Sequence, residues 1–171
     1  YELTIEVAKK LVAEGYGVIT GGGPGIMEAG NKGAQLANGK SVGLDIDLPF
    51  EASHNDYIDS DKILKHRYFF VRKVMFVKYA QGFIFMPGGF GTLDELFECL
   101  TLIQTQKSTP VPIVLMGSDF WEGIIDWLKN TVLEKYHNIS PKDLDLFKIT
   151  DSPDEAMKII REFNEVLSPN F

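Results

Sequence analysis

The chain has 171 residues, of which 44% are hydrophobic and 24% are charged, a composition typical of a globular domain with a substantial core. The 17 basic residues against 24 acidic ones give a net charge of −7, which argues against general affinity for nucleic acid or anionic membranes. No apolar run is long enough to span a bilayer, no signal peptide is visible, and a single cysteine, Cys99, fits a reducing compartment. We therefore expect a cytoplasmic protein without a disulfide framework, in which Cys99 is a small core residue.

Helical and extended patterns alternate along the chain. The spacing of apolar residues predicts helices over 1–15, 26–37, 71–80, 92–106, 119–136 and 152–167. Short runs rich in β-branched and apolar residues predict strands over 16–20, 40–46, 82–86, 111–117 and 146–150, with a further extended segment over 63–70. The polar, turn-rich stretch between 47 and 62 is longer than a plain connection and is typical of functional or mobile loops.

This alternation predicts the fold class. Strands that alternate with helices form a doubly wound, Rossmann-like α/β fold, a parallel sheet with helices on both faces. We expect a single domain over residues 1–171. Because the chain opens on a helix, we also expect an N-terminal strand of that domain to be absent from this sequence.

Two helix starts have recognisable signals. Ser152 followed by Pro153 predicts an N-cap with proline at the first helical position. Thr92 followed three residues later by Glu95 has the spacing of a capping box, which would stabilise a helix start with no ligand at all.

Two glycine-rich loops, 21–25 (GGGPG) and 87–91 (PGGFG), each follow a predicted strand and precede a helix. Glycine lets backbone N–H groups approach an anion, and the helix N-terminus adds about half a positive charge. The first loop misses the dinucleotide fingerprint because Ile26 occupies its last position, and no Walker motif is present. A dinucleotide oxidoreductase and an NTPase are therefore disfavoured.

Three segments together resemble a known family. The stretch PGGFGTLDE (87–95) matches P-G-G-x-G-T-x-x-E, Arg72-Lys73 precedes it, and GGGPGIMEAGNKGA (21–34) matches the family's first glycine loop. The chain thereby resembles the LOG ("lonely guy") family, cytokinin riboside 5′-monophosphate phosphoribohydrolases that are often labelled lysine decarboxylase-like. It looks most like the bacterial branch.

The resemblance implies an N-glycosidase that splits a nucleoside 5′-monophosphate, AMP or a cytokinin riboside monophosphate, into free base and ribose 5-phosphate. It implies Arg72 and Glu95 as the catalytic pair, no cofactor, no metal, and a homodimer or larger homo-oligomer. The implied substrate-binding residues are Gly22, Gly23, Gly25, Met27, Glu51, Lys73, Gly88, Gly89, Phe90, Gly91 and Thr92.

A carboxylate at position 95 suits the reaction that the resemblance implies. Breaking the C1′–N9 bond develops positive charge on the ribose, and a glutamate in the first turn of a helix is kept ionised by the helix dipole. Glu95 there suits stabilising an oxocarbenium ion or activating water, and no second carboxylate stands out as the acid. Asp45 and Asp47, at a strand end, are compatible with ribose contacts or with loop capping.

Other interpretations stay open. Arg72-Lys73 can form a solvated helix face, and a non-catalytic carrier of a nucleotide or molybdenum cofactor would use the same sheet. A lysine decarboxylase needs pyridoxal phosphate on a lysine, and no lysine here stands in such a context. The histidines, His54, His66 and His137, share no metal-ligand spacing.

Overall fold

The computed structural model describes residues 1–46 and 54–167. The chain divides into two compact units, Tyr1–Ala80 and Gln81–Phe171, and each is described by itself. Within the described ranges, none of the helices combines the length and the apolar character needed to cross a membrane.

The first unit is a three-stranded parallel sheet with helices. Its elements are α1 (Glu2–Ala13), β1 (Val18–Thr20), α2 (Ile26–Leu36), β2 (Ser41–Ile46), β3 (Ile63–His66) and α3 (Phe69–Tyr79). The strands lie in the order β1-β2-β3, with Thr20 opposite Gly43 and Gly43 opposite Ile63. This register brings the carboxyl ends of all three strands to one edge of the sheet.

The second unit repeats this plan. Its elements are β4 (Phe83–Phe85), α4 (Phe90–Gln104), β5 (Ile113–Met116), α5 (Ser118–Trp127), β6 (Lys148–Thr150) and α6 (Pro153–Leu167). The strands lie in the order β4-β5-β6, all parallel. A π-helical turn, Leu128–Leu133, extends α5, and a 3₁₀ helix, Pro141–Leu146, precedes β6.

Each unit has its own core. In the first, Ala8 on α1 packs with Val18 and Ala34, so that α1 and α2 lie close together against β1. In the second, every residue of β5 is buried, as expected for a parallel strand covered on both faces. Trp121 is wholly buried there, and its indole N–H donates to the Met116 carbonyl at 2.9 Å.

The predicted alternation of helices and parallel strands is confirmed. The extended segment predicted over 63–70 ends at His66, and α3 begins at Phe69 rather than at 71. The Ser152 cap is confirmed, since the Glu155 N–H donates to the Ser152 hydroxyl at 3.3 Å.

The capping box predicted from Thr92 and Glu95 is wrong. Helix α4 begins two residues earlier, at Phe90, with Gly89 as its N-cap. Thr92 is therefore the third residue of the helix. The glycine-rich turn itself enters helical geometry, so the helix start does not depend on a threonine cap.

We expect Cys99 to be nearly inert towards thiol reagents in the native protein. Its side chain is 2% exposed, and burial, followed by the charges of Glu95 and Glu98, raises the pKa of the thiol to about 12 from 9.0. At pH 8 this lowers the thiolate fraction on the order of a thousandfold relative to an unfolded chain. The measurement is the rate of modification by a chromogenic disulfide, with the denatured protein as control. Equal rates in both states would contradict the buried placement.

We expect Gly33→Ala to destabilise the protein by about 1–3 kcal/mol, because overpacking a close contact displaces backbone. A Cβ atom placed on Gly33 would lie 2.6 Å from the Ile5 carbonyl oxygen and 2.6 Å from the Ala8 Cβ atom, where α2 crosses α1. The matched control is Gly123→Ala at an exposed position of α5, where a Cβ meets open space and alanine should stabilise by about 0.5–1 kcal/mol. Urea unfolding measures both, and a similar change in the two variants would refute the close contact.

Candidate functional site

In the first unit, the glycine loop 21–25 joins the carboxyl end of β1 to α2. Gly22 and Gly25 have φ angles of 81° and 72°, a left-handed region that side chains disfavour. Gly25 is the N-cap of α2, so no side chain of the cap residue closes the first turn. The first N–H groups of a helix have no intrahelical partner, and here they open at the edge of the sheet where ligands bind in this class of fold.

Arg72 and Met27 lie against this loop. A Cβ atom placed on Gly21 would be 2.8 Å from the Met27 Sδ atom and 3.3 Å from the Arg72 Nη1 atom. A Cβ atom on Gly23 would be 2.6 Å from the Met27 methyl carbon. The guanidinium, carried by α3, also lies over the Phe69 ring, with Cζ 5.2 Å from the ring centroid. A fixed positive charge therefore borders the loop that starts α2.

Asn55 holds the first glycine loop in place by hydrogen bonds to its carbonyl groups. The Asn55 backbone N–H donates to the Gly22 carbonyl at 2.8 Å, and the side-chain amide donates to the carbonyls of Gly22 at 3.1 Å and Gly23 at 3.0 Å. The Gly22 N–H in turn donates to the Thr20 hydroxyl at 3.0 Å. Asn55 is buried, so these bonds are shielded from competing water.

The side chain of Asn31 on α2 connects these hydrogen bonds to the core of the first unit. Its carbonyl oxygen accepts from the Thr20 hydroxyl at 2.6 Å and from the Asn55 amide at 3.0 Å. Its own amide donates to the Ser41 hydroxyl at 2.9 Å and to the Val42 carbonyl at 3.2 Å. The side chain is wholly buried and uses its full hydrogen-bonding capacity.

Sequence analysis missed this buried network. The sequence offered a sign that Asn31 is a buried polar residue, because it is an asparagine among the small residues of α2, Ala29, Gly30 and Ala34. It offered no such sign for Asn55, which stands in a polar stretch and bonds to network residues that are 24 to 33 positions away.

In the second unit, the glycine-rich segment 87–91 follows β4 and includes the first two residues of α4. Gly88, Gly89, Phe90 and Gly91 are all exposed, and the Phe90 side chain is 92% exposed. A Cβ atom on Gly88 would overlap the Thr92 hydroxyl, whereas a Cβ atom on Gly89 or Gly91 would meet open space. The loop thus leaves its backbone accessible beside the start of α4.

Glu95 lies on α4, half-buried, with its Oε1 atom shielded from solvent. Because α4 begins at Phe90, Glu95 belongs to the second turn of the helix, and the expectation that it occupies the first turn is wrong. The helix dipole acts mainly within the first turn. Its effect on this carboxylate is correspondingly smaller than the sequence analysis assumed.

Other helix starts at strand ends of the second unit are closed by side chains. The Asp151 carboxylate accepts from the Ser118 N–H at 2.7 Å and from the Ser118 hydroxyl at 2.6 Å, at the start of α5, which lowers the pKa of Asp151. The Ser152 hydroxyl caps α6. Helix α5 also follows a glycine N-cap, Gly117, but there the Asp151 carboxylate accepts from the first N–H of the helix, whereas the N-cap residues of α2 and α4 make no side-chain hydrogen bond.

The remaining predicted residues are distributed as follows. Lys73 is half-buried on α3, next to Arg72 in sequence. Asp45 lies beside the first loop, since a Cβ atom placed on Gly22 would be 3.7 Å from the Asp45 Cβ atom. The Asp45 Oδ2 atom is 4.0 Å from the His54 Nδ1 atom. A carboxylate there can accept hydrogen bonds from ribose hydroxyls. Glu51 and Asp47 lie outside the described residues.

In the part of the chain that the structure describes, no three His, Cys, Asp or Glu side chains are grouped so that they could hold a metal ion.

Comparison with solved structures shows the fold. The chain is similar to the X-ray structure of TM1055, a structural genomics target, with a TM-score of 0.65 and 20% identity over 94% of this chain and 86% of that one. It is also similar to the molybdenum cofactor carrier protein MCP from Chlamydomonas reinhardtii, with a TM-score of 0.60 and 17% identity over 95% and 87% of the two chains. The fold is a doubly wound α/β fold.

Sequence comparison shows the family. The chain is 28% identical over 163 residues to a cytokinin riboside 5′-monophosphate phosphoribohydrolase of Mycobacterium tuberculosis, covering 92% of this chain and 83% of the relative. It is 27% identical over 160 residues, with the same coverage, to the protein of the same name from Mycobacterium marinum. The family model described as "Possible lysine decarboxylase" matches residues 27–160. The chain therefore belongs to this family, the LOG family that the two glycine motifs indicated.

Proposed function

We propose that this protein hydrolyses the N-glycosidic bond of a nucleoside 5′-monophosphate, AMP or a cytokinin riboside monophosphate, to free base and ribose 5-phosphate. The observation that carries the proposal is the Arg72 guanidinium set against the first glycine loop, where α2 opens from a glycine cap. A fixed cation and converging N–H groups form a receptor for a phosphate group. The names of the Mycobacterium relatives support the same reaction.

The proposal assigns the residues of both glycine motifs to the substrate. Arg72 and Glu95 are the catalytic pair. The substrate-binding residues are Gly22, Gly23, Gly25, Met27, Glu51, Lys73, Gly88, Gly89, Phe90, Gly91 and Thr92. Three further expectations belong to this proposal as well. They are the single domain, expected from the length of the chain, the cytoplasmic location, expected from its single cysteine, and the homodimer or larger homo-oligomer that the resemblance implies.

The proposed reaction uses a carboxylate and a water molecule. The oxygen of a water molecule bonds to C1′ as the C1′–N9 bond breaks, and the electron pair of that bond leaves with the base. Glu95 stabilises the positive charge that develops on the ribose and accepts one proton from the water. The base takes up one proton from solvent, and Glu95 returns its proton to solvent.

Arg72 has the complementary role of holding the phosphate. A guanidinium presents paired N–H donors that match two phosphate oxygens, and it stays charged throughout the physiological pH range. A lysine would keep the charge and lose the paired geometry. A carrier protein would also need a phosphate receptor, but it would have no use for Glu95, and the likeness to the molybdenum cofactor carrier shows the fold alone.

We expect Glu95→Gln to lower kcat for AMP cleavage on the order of a thousandfold, because the amide can neither accept the proton nor balance the ribose charge.

We expect Arg72→Lys to lower kcat/KM at least about tenfold, because the paired donors are lost. Adenine release, followed by chromatography with AMP and a prenylated analogue as substrates, measures both.

The matched controls carry the same substitutions on helices to which the proposal assigns no residue, Glu122→Gln on α5 and Arg161→Lys on α6. Both should keep wild-type rates. Full turnover in folded Glu95→Gln would remove the assignment of the carboxylate, and absence of base release from wild type with either substrate would leave the carrier as the better reading.

We expect Gly89→Ala to keep its fold and lose affinity for the substrate about tenfold or more. A Cβ atom at Gly89 meets open space, and its φ of −95° is available to alanine, so the fold does not require glycine there. The methyl group would occupy space that the substrate needs. Gly123→Ala, another glycine with open surroundings, is the control, with KM and the melting temperature as readouts. An unchanged KM in Gly89→Ala would show that the substrate does not approach this backbone.

A further inference from the structure

We propose that Asn55 is a positioning residue for the phosphate receptor at the first glycine loop. This inference rests on the proposed function and assigns a role to a residue that no motif of the family resemblance contains. The observation behind it is independent of Arg72 and Glu95: a buried asparagine donates to two carbonyls of the first glycine loop, those of Gly22 and Gly23. The steps from this contact to substrate binding follow from peptide geometry.

The first step is the orientation of the loop. A trans peptide unit directs its C=O and N–H groups to opposite sides. Because the Gly22 carbonyl points to Asn55, where it accepts from both the backbone and the side-chain amide, the Gly23 N–H points away from Asn55. The Gly23 carbonyl is also turned to Asn55, and the next residue, Pro24, has no N–H to present.

The second step is the sign of the electrostatic potential. With both carbonyl oxygens facing Asn55, the loop shows the Gly23 N–H, and the first N–H groups of α2 follow directly after Gly25. All of these N–H groups are hydrogen-bond donors, and an ionised phosphate offers only acceptor oxygens to them. If the carbonyls were released, their oxygens could turn towards the phosphate and repel it.

The third step is rigidity. The Asn55 amide also donates to Asn31 Oδ1, so its two hydrogens serve three acceptors, and the Asn55 carbonyl oxygen accepts from the Tyr57 N–H at 3.0 Å. The flip of the amide is therefore fixed by partners on both sides. Asn55 cannot release the loop without leaving Asn31 short of a donor. The receptor is thus set before the substrate arrives.

The test replaces the donors and keeps the shape. Asn55→Asp presents a carboxylate to three oxygen atoms, so we expect the Kd for ribose 5-phosphate and the KM for AMP to rise about tenfold or more, with kcat changed less than about threefold. Asn55→Ser, which is too short to reach the loop carbonyls, should weaken binding in the same direction and decides the question if the aspartate variant does not fold. Calorimetric titration with ribose 5-phosphate and steady-state kinetics with AMP are the measurements.

Two controls separate positioning from general damage. Asn138→Asp makes the same chemical change in an exposed turn of the second unit and should leave Kd and KM unchanged. Gly39→Ala forces a Cβ into the Val12 side chain and should lower the melting temperature of the protein while Kd stays at the wild-type value.

The outcomes are distinct. Folded Asn55 variants that bind ribose 5-phosphate as tightly as wild type would overturn the positioning role and leave the proposed function standing. An equal loss of affinity in Gly39→Ala would overturn it too, because the effect would then be one of stability. Wild-type protein that neither binds ribose 5-phosphate nor cleaves AMP or its prenylated analogue would overturn the proposed function, and the inference with it.

Discussion

The buried amide of Asn31 is the constraint on which the first unit depends. Each polar group of a wholly buried side chain that lacks a partner costs about 1–3 kcal/mol, so all of its partners must be present together. They come from three places, namely Thr20 at the end of β1, Ser41 and Val42 in β2, and Asn55. One side chain therefore fixes where α2 lies relative to both strands.

This constraint extends to the surface through the two partners that Asn31 shares with the glycine loop. Thr20 donates to Asn31 and accepts from the Gly22 N–H, while Asn55 donates to Asn31 and to the carbonyls of Gly22 and Gly23. Arg72 reaches the loop from α3, which packs against β2. The loop and its cation are thus held by elements whose positions are already set by the core. Such preorganisation favours binding because little has to be ordered when a ligand arrives.

Local patterns predicted the elements, and non-local contacts decided the details. The alternation of apolar runs located the strands and the α-helices because burial sets the period of the pattern, whereas the short 3₁₀ helix Pro141–Leu146 was not predicted. The start of α4 was mispredicted because Thr92 and Glu95 have the capping-box spacing, while the glycine turn before them enters helical geometry by itself. Arg72 could be named from a motif, but its contact with Gly21 spans 51 residues of sequence, and no local rule supplies such a pairing.

The two glycine loops use glycine for different physical reasons, which bears on how each would hold a ligand. In the first loop the fold requires it, because Gly22 and Gly25 have positive φ and the Met27 side chain covers Gly21 and Gly23. In the second loop the fold requires it only at Gly88, beside the Thr92 hydroxyl. Gly91 is the second residue of α4, and a Cβ atom there would meet open space. Without a side chain at Gly89 or Gly91, the backbone at this helix start is open to close approach. The first loop thus presents a shaped set of donors, and the second presents empty space at a helix start.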